Sequence, residues 1–115
     1  MKVIWLDDFR EPAHFLYEDM NCKKEDITIC KNYDEFVEAV KKEYPDWICF
    51  DHDLGEGKTG YDCAKWLVNY CMEKDLNVPD WSIQSSNIVG ACNIDGVLKN
   101  YRKYWKHCNE VWSYD

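Results

Sequence analysis

The chain has 115 residues, 46% hydrophobic and 16% aromatic, which is enough to form one folded domain and too apolar for a disordered chain. A net charge of −8 argues against a long nucleic-acid-binding groove, for which a basic surface is typical. The sequence has no secretion signal and no run of roughly 18 apolar residues, so we expect a cytoplasmic protein without membrane contact, folded as a single domain over residues 1–115.

The first half of the chain is predicted to alternate between strand and helix. A strand over residues 2–6 precedes a stretch without a clear period. A second strand over residues 27–30 leads to a helix that begins near Tyr33, with Asn32 as its N-cap. A third apolar run, residues 47–50, predicts another strand.

The second half continues this alternation. Thr59 and Asp62 fit a capping box, which predicts a helix from Gly60. A fourth strand is predicted over residues 81–83, and a last helix is predicted to begin near Ile94 after a polar loop. The order βαβαβαβα implies an α/β fold with a parallel sheet and right-handed crossovers. No clear fifth strand follows.

The seven cysteines form an odd set without a C-x-x-C pair. Several occupy apolar positions of the predicted elements, where a free thiol behaves as a small hydrophobic side chain. We therefore expect reduced cysteines, as in a cytoplasmic protein. A zinc site built from them is the less favoured alternative.

Acidic residues follow two of the predicted strands, at the point where each strand ends. Asp7 and Asp8 follow the first strand, and Asp51 and Asp53 follow the third. Because the carboxyl ends of parallel strands share one edge of a sheet, these four side chains are expected to converge there. Converging carboxylates repel one another unless a cation lies among them, and oxygen ligands suit Mg²⁺. The alternative is that these acids only cap a helix and line a turn.

Two known motifs are excluded near the third strand. The Gly-Lys-Thr run before the predicted helix lacks the glycine that a P-loop needs at position 52, which is His52. The acidic run lacks the third acidic position and the distal glutamate of a calcium loop. What remains is a glycine-rich turn leading into a helix N-terminus, where backbone N–H groups favour an anion.

Other polar side chains near this edge are candidate ligand-binding groups. Ser85 and Asn87 follow the fourth strand and could bind phosphate oxygens, or could satisfy only their own loop. Arg10, three residues after Asp7, could pair with the carboxylates or clamp a phosphate. His52 lies between two acids and is the candidate acid or base.

Several segments of the chain together resemble one known family. They are Leu6-Asp7-Asp8-Phe9-Arg10-Glu11-Pro12, Asp51-His52-Asp53-Leu54-Gly55, Lys58-Thr59-Gly60-Tyr61-Asp62, Trp66-Leu67 and Ser85-Ser86-Asn87-Ile88-Val89-Gly90-Ala91-Cys92-Asn93-Ile94. They resemble the cyclic-phosphate-processing receiver-like domain, a relative of response-regulator receiver domains, from about residue 2 to residue 95. The resemblance implies a single three-layer, flavodoxin-like α/β domain, with four parallel strands in the order 2-1-3-4.

The resemblance also implies roles for individual residues. Asp7 and Asp8 match the acidic pair, Asp51 matches the aspartate that receivers phosphorylate, and Asp53 matches a residue that helps to hold the metal. We therefore expect Mg²⁺ at Asp7, Asp8, Asp51 and Asp53, with Asp8, Asp51 and His52 as the catalytic residues. The expected ligand-binding residues are Arg10, Thr59, Gly60, Gln84, Ser85, Asn87 and Asn93.

The chain departs from the family pattern at three points. The family usually has histidine where this chain has Gln84, and glutamine cannot transfer a proton near neutral pH. It commonly has proline where this chain has Ile88. Ordinary receivers also carry a lysine on a fifth strand, for which this sequence shows no equivalent. This last difference weighs against phosphotransfer signalling.

The implied ligand is a small phosphorylated molecule, either a cyclic nucleotide or an RNA end. The first hypothesis is a metal-assisted phosphoesterase that opens the cyclic phosphate. The second is a protein that binds such a ligand without turnover, for instance one that sequesters a nucleotide signal of a defence system. The third is a phosphoacceptor receiver domain.

Overall fold

The structure, a computed structural model, describes the backbone of residues 1–113 and the side chains of residues 1–109. The strands are β1 (Val3–Leu6), β2 (Ile27–Cys30), β3 (Trp47–Phe50) and β4 (Asp80–Ile83). The helices are α1 (His14–Glu18), α2 (Tyr33–Lys42), α3 (Gly60–Lys74) and α4 (Ile88–Ser113), with a short 3-10 helix at Lys24–Asp26.

The four strands form one parallel sheet in the order β2-β1-β3-β4, which confirms the predicted topology. Val3 is paired with Ile27 on one side and with Trp47 on the other, and Trp47 is paired in turn with Asp80. Because the strands are in register and equally long, their carboxyl ends meet at one edge. No fifth strand is present within residues 1–113.

The sheet is covered on both faces, which gives three layers. Alternate residues of a strand point to opposite faces. On one face Ile4 and Ile48 belong to the main core, together with buried residues of α2, α3 and α4. On the other face Val3 and Trp5 pack with Leu16, the buried residue of α1. Burial on both faces explains why β1 reads as a continuous apolar run.

Two predictions about helices were wrong. The stretch before Met20 contains α1, which has only five residues and one buried side chain, too few to produce a period in the sequence. The last helix begins at Ile88, six residues before Ile94. Asn87 starts it early, because its side-chain oxygen accepts a hydrogen bond from the N–H of Gly90 at 2.9 Å and its carbonyl accepts one from Ala91 at 2.9 Å.

All seven cysteines are free, and five of them are buried: Cys22, Cys30, Cys49, Cys63 and Cys71. Burial raises the pKa of the Cys30 and Cys63 thiols to about 12. These thiols therefore stay protonated and act as core side chains. Among the described residues no cysteine belongs to a cluster of three potential metal ligands, so nothing supports the zinc alternative.

Within residues 1–113, each helix is too short or too polar to serve as a membrane span.

Candidate functional site

Three of the predicted acidic residues meet at the carboxyl edge of the sheet. Asp7, Asp8 and Asp51 each offer a carboxylate oxygen that lies within 4.8 Å of those of the other two. Asp7 and Asp51 are buried, whereas Asp8 is exposed. The exposed side chain of Asp53 lies outside this group, and its role as a metal ligand stays a prediction. We call Asp7, Asp8 and Asp51 the acidic cluster.

The two oxygens of the Asp7 carboxylate have different surroundings. Oδ1 accepts hydrogen bonds from the backbone N–H groups of Phe9, at 3.0 Å, and Arg10, at 2.9 Å, which fixes the loop after β1. Oδ2 is buried and has no hydrogen-bond partner in the structure. A buried carboxylate oxygen without a donor is costly unless a cation satisfies it. The donor set therefore fits a hard divalent cation.

The surroundings of Asp51 also favour a cation. Burial and the neighbouring Asp7 carboxylate raise the pKa of Asp51 above its usual range. The charge of Arg10, the Asp53 N–H and the Ser85 hydroxyl lower the pKa of Asp51 in turn, but they do not cancel this rise. Positive charge from the protein therefore offsets only part of the burial and repulsion at Asp51.

Arg10 connects the loop after β1 to the end of β4. Its Nη1 donates to the backbone carbonyl of Gln84 at 2.9 Å, and its own carbonyl accepts a hydrogen bond from Trp5 Nε1 at 3.0 Å. Gln84 itself follows β4, where its N–H donates to Phe50 at 2.9 Å. The side-chain Nε2 of Gln84 is buried without a partner. An unused amide donor thus lies at the same edge as the acidic cluster.

The N-terminus of α3 presses against the end of β3. A side chain on Gly60 would overlap the backbone carbonyl of Asp51, so only glycine allows this approach. The Gly60 N–H donates to the His52 carbonyl at 2.8 Å. Thr59 and Asp62 form the predicted capping box, in which the Thr59 N–H donates to Asp62 Oδ2 at 2.8 Å. The roles of Thr59 and Gly60 in ligand binding stay predictions.

The polar residues after β4 serve partly to build the loop itself. Ser85 Oγ accepts a hydrogen bond from the Asn87 N–H at 3.1 Å, and Asn87 caps α4. Asn93 is exposed further along α4, and its side chain makes no hydrogen bond with the described residues. The Ser85 hydroxyl lies near enough to Asp51 to lower the pKa of that carboxyl group. The ligand contacts of Ser85, Asn87 and Asn93 stay predictions.

His52 lies under the first turn of α4. A side chain on Gly90 would overlap the imidazole ring of His52, and His52 Nδ1 is buried without a hydrogen-bond partner. Sequence reasoning missed Gly90, because nothing along the chain indicates that position 90 packs against position 52. The glycine therefore sets the position of the candidate acid or base.

We expect Gly90→Ala to destabilise the protein by about 1–3 kcal/mol, because the added methyl group must displace the ring of His52. Gly96→Ala is the matched control in the same helix. It faces open space and should stabilise the protein by about 0.5–1 kcal/mol. Urea unfolding of both variants measures the difference, and equal free energies of unfolding would contradict the packing of His52 against α4.

Comparisons with known proteins bear on the family and the fold of the chain. A family described as the cyclic-phosphate processing receiver domain matches residues 2–100. A solved structure titled as a yeast Spc42 trimeric coiled coil fused to another structure is 19% identical, with a TM-score of 0.56, over 98% of this chain and 83% of that chain. At this identity the likeness concerns the fold alone. No curated protein gives a significant match.

Proposed function

Since this chain belongs to the cyclic-phosphate processing receiver domain family, we propose that it opens a cyclic phosphate ester on a nucleotide or an RNA end, with a divalent cation at the acidic cluster. The observation that carries the proposal is the buried, unpartnered Oδ2 of Asp7, whose carboxylate groups with those of Asp8 and Asp51. Mg²⁺ is the cation that we propose, because all the side-chain ligands are oxygens.

The proposed reaction is a hydrolysis. A water oxygen bonds to phosphorus and gives up one proton, one of the two ring P–O bonds breaks, and the departing alkoxide oxygen receives one proton. A divalent cation at the acidic cluster would stabilise charge on the phosphoryl oxygens and activate the water. Because Gln84 cannot transfer protons, we assign the proton transfer to His52. We assign Gln84 Nε2, Arg10 and Ser85 to binding the phosphate oxygens.

Exposed apolar side chains lie on two of the segments that follow the strands at the carboxyl edge, and they favour a ligand with a base. Phe9, next to Asp8, is 91% exposed, and Ile88 and Val89 at the start of α4 are 77% and 70% exposed. The Arg10–Gln84 hydrogen bond ties these two segments together. An exposed aromatic ring at such a position can stack on a nucleobase, which supports a nucleotide ligand.

We expect Phe9→Ala to weaken the binding of a nucleoside cyclic phosphate by about 1–3 kcal/mol, the usual contribution of one stacked base. Binding of a cyclic phosphate that carries no base should be unchanged. Tyr17→Ala removes another exposed aromatic ring, on α1, and serves as the control. Equal weakening for ligands with and without a base would contradict a stacking role for Phe9.

A second candidate function is binding without turnover. The unpartnered Nε2 of Gln84 favours it, because this group can donate a hydrogen bond to a phosphate oxygen but cannot supply a proton. Such a protein would act by sequestering a cyclic nucleotide signal. For a phosphoacceptor receiver, residues 1–113 contain no fifth strand that could present the usual lysine.

One incubation distinguishes these functions. The purified protein is mixed with Mg²⁺ and a panel of cyclic nucleotides, then heated, and the released small molecules are separated. Linear phosphate esters would support the enzyme. Intact ligand recovered only after heating would support the binding protein.

The state of the cysteines supports a proposal for the cellular location. Seven free thiols, five of them buried, are typical of proteins in a reducing compartment. We therefore propose a cytoplasmic location.

A further inference from the structure

A groove lies between β4 and α4, away from the acidic cluster. Its volume is about 570 Å³, and it is lined on the sheet side by Trp47, Asp80 and Trp81 and on the helix side by Asp95, Lys99, Arg102, Lys103 and Lys106. We call it the edge groove. No residue of the acidic cluster lines it. Its open strand edge and its basic helix face suit a protein partner rather than a cyclic phosphate.

The open side of β4 provides unpaired backbone groups. β4 is the last strand of the sheet and pairs only with β3. The N–H groups of Asp80 and Gln84 donate toward β3, to Asp46 at 3.2 Å and to Phe50 at 2.9 Å. In a parallel ladder the N–H groups alternate in direction, so those of Trp81 and Ile83 point away from β3. The strand can therefore accept a further strand from a partner.

The helix side of the edge groove is basic although the whole chain is acidic. Lys99, Lys103 and Lys106 recur at helical spacing and so share one face of α4. Lys99 forms a salt bridge with Asp95 at 2.7 Å, whereas Lys103 and Lys106 are exposed and form none with the described side chains. Within the part of the chain whose side chains are described, these two lysines remain available to meet acidic groups.

Arg102 holds this basic face beside the strand. Its Nη2 lies 3.1 Å from Asp80 Oδ1 and donates to the carbonyls of Val78, at 3.2 Å, and Pro79, at 3.0 Å. Its guanidinium group also lies 4.5 Å from the ring centre of Trp81. The wall of the edge groove is therefore built into the fold.

The two faces of β4 present different chemistry to an added strand. The lysines of α4 lie on the face of Trp81, whose Nε1 donates to Asp95 at 3.0 Å. The indole of Trp47 lies on the opposite face, where its Nε1 donates to Ser82 at 3.2 Å. Side chains of an added strand alternate between these faces. An acidic residue would meet the lysines, and the next, apolar residue would meet Trp47.

We propose that the edge groove binds an extended segment of another protein in which acidic and apolar residues alternate, added as a strand beside β4. A second copy of this chain does not provide such a segment from its other edge strand, because β2 (Ile27–Cys30) contains no acidic residue. RNA is less favoured, because it has no peptide groups and would leave the strand edge unpaired.

The test uses a labelled six-residue peptide, glutamate alternating with valine, and fluorescence polarisation with the full chain. We expect this peptide to bind. Methylation of alternate peptide nitrogens should weaken binding about tenfold or more, because it removes the backbone donors of the added strand. Reordering the same residues as three glutamates followed by three valines should have a similar effect, because it removes the alternation. The double variant Lys103→Glu, Lys106→Glu should also bind about tenfold more weakly.

The matched control is Lys41→Glu, Lys42→Glu, which changes the net charge equally on exposed positions of α2 and should bind as the parent does. Equal binding of the methylated and unmethylated peptides would overturn the proposal, because no strand would then have formed. Three other results would overturn it as well. They are the absence of binding at millimolar peptide, tighter binding of oligouridylate at the same site, and a dimer of the parent protein, seen in sedimentation, that cannot bind the peptide.

Discussion

Replacing His52 with glutamine is expected to reduce turnover of a cyclic phosphate about 10²–10⁴-fold, the usual contribution of a positioned acid or base. Glutamine keeps much of the size and hydrogen-bonding capacity of histidine but cannot transfer a proton. His52 is held by α4 at Gly90, so the substitution should leave the fold intact. Single-turnover and steady-state rates, with thermal unfolding as a check on folding, measure the effect.

Two further variants sharpen this prediction. His14→Gln makes the same change at an exposed position of α1 and should retain the parent rate. Gln84→His restores the residue usual in the family and should leave the rate similar or raise it. If the protein only binds its ligand, His52→Gln should change affinity alone, and Gln84→His could create turnover that the parent lacks. A parental rate in His52→Gln would contradict its catalytic role.

Replacing Asp51 with asparagine is expected to reduce Mg²⁺-dependent turnover about 10³-fold, since a metal ion commonly contributes several kcal/mol of transition-state stabilisation. The same change should raise the melting temperature of the metal-free protein by a few degrees. It removes a buried negative charge whose pKa is raised by burial and by Asp7. Opposite effects on activity and stability are characteristic of a residue retained for function.

Asp75→Asn is the matched control for this variant. Asp75 is exposed, and it ends α3 in a left-handed conformation with φ of 56°, which asparagine adopts readily. Its turnover and melting temperature should both be close to those of the parent. A lower melting temperature for Asp51→Asn in the presence of a chelator would contradict like-charge repulsion within the acidic cluster.

The sheet could be predicted because its signals are local. The runs at β2 and β3 have the predicted bounds, and Asn32 and Thr59 cap α2 and α3 as predicted. Each signal depends on a few neighbouring residues, either buried apolar side chains in a row or a polar side chain bound to a nearby N–H. The parallel order then placed Asp7, Asp8 and Asp51 at one edge.

What the sequence could not predict depends on contacts between distant residues. Examples are the packing of Gly90 on His52 and the Arg10–Gln84 hydrogen bond, which joins residues 74 positions apart. The early start of α4 could not be predicted either. The polar side chain of Asn87 suits a ligand-binding loop as well as a helix N-cap, and only the structure shows that it caps α4. These contacts decide which candidate residues face the acidic cluster.

The most direct test is a calorimetric titration of Mg²⁺ into the parent protein and into Asp51→Asn. We expect one binding site for each parent chain, because Asp7, Asp8 and Asp51 form one group of carboxylates. We expect much weaker binding to Asp51→Asn, while circular dichroism shows the same fold. Equal Mg²⁺ affinity in the two proteins, or no Mg²⁺ binding to the parent, would contradict the acidic cluster as a metal site.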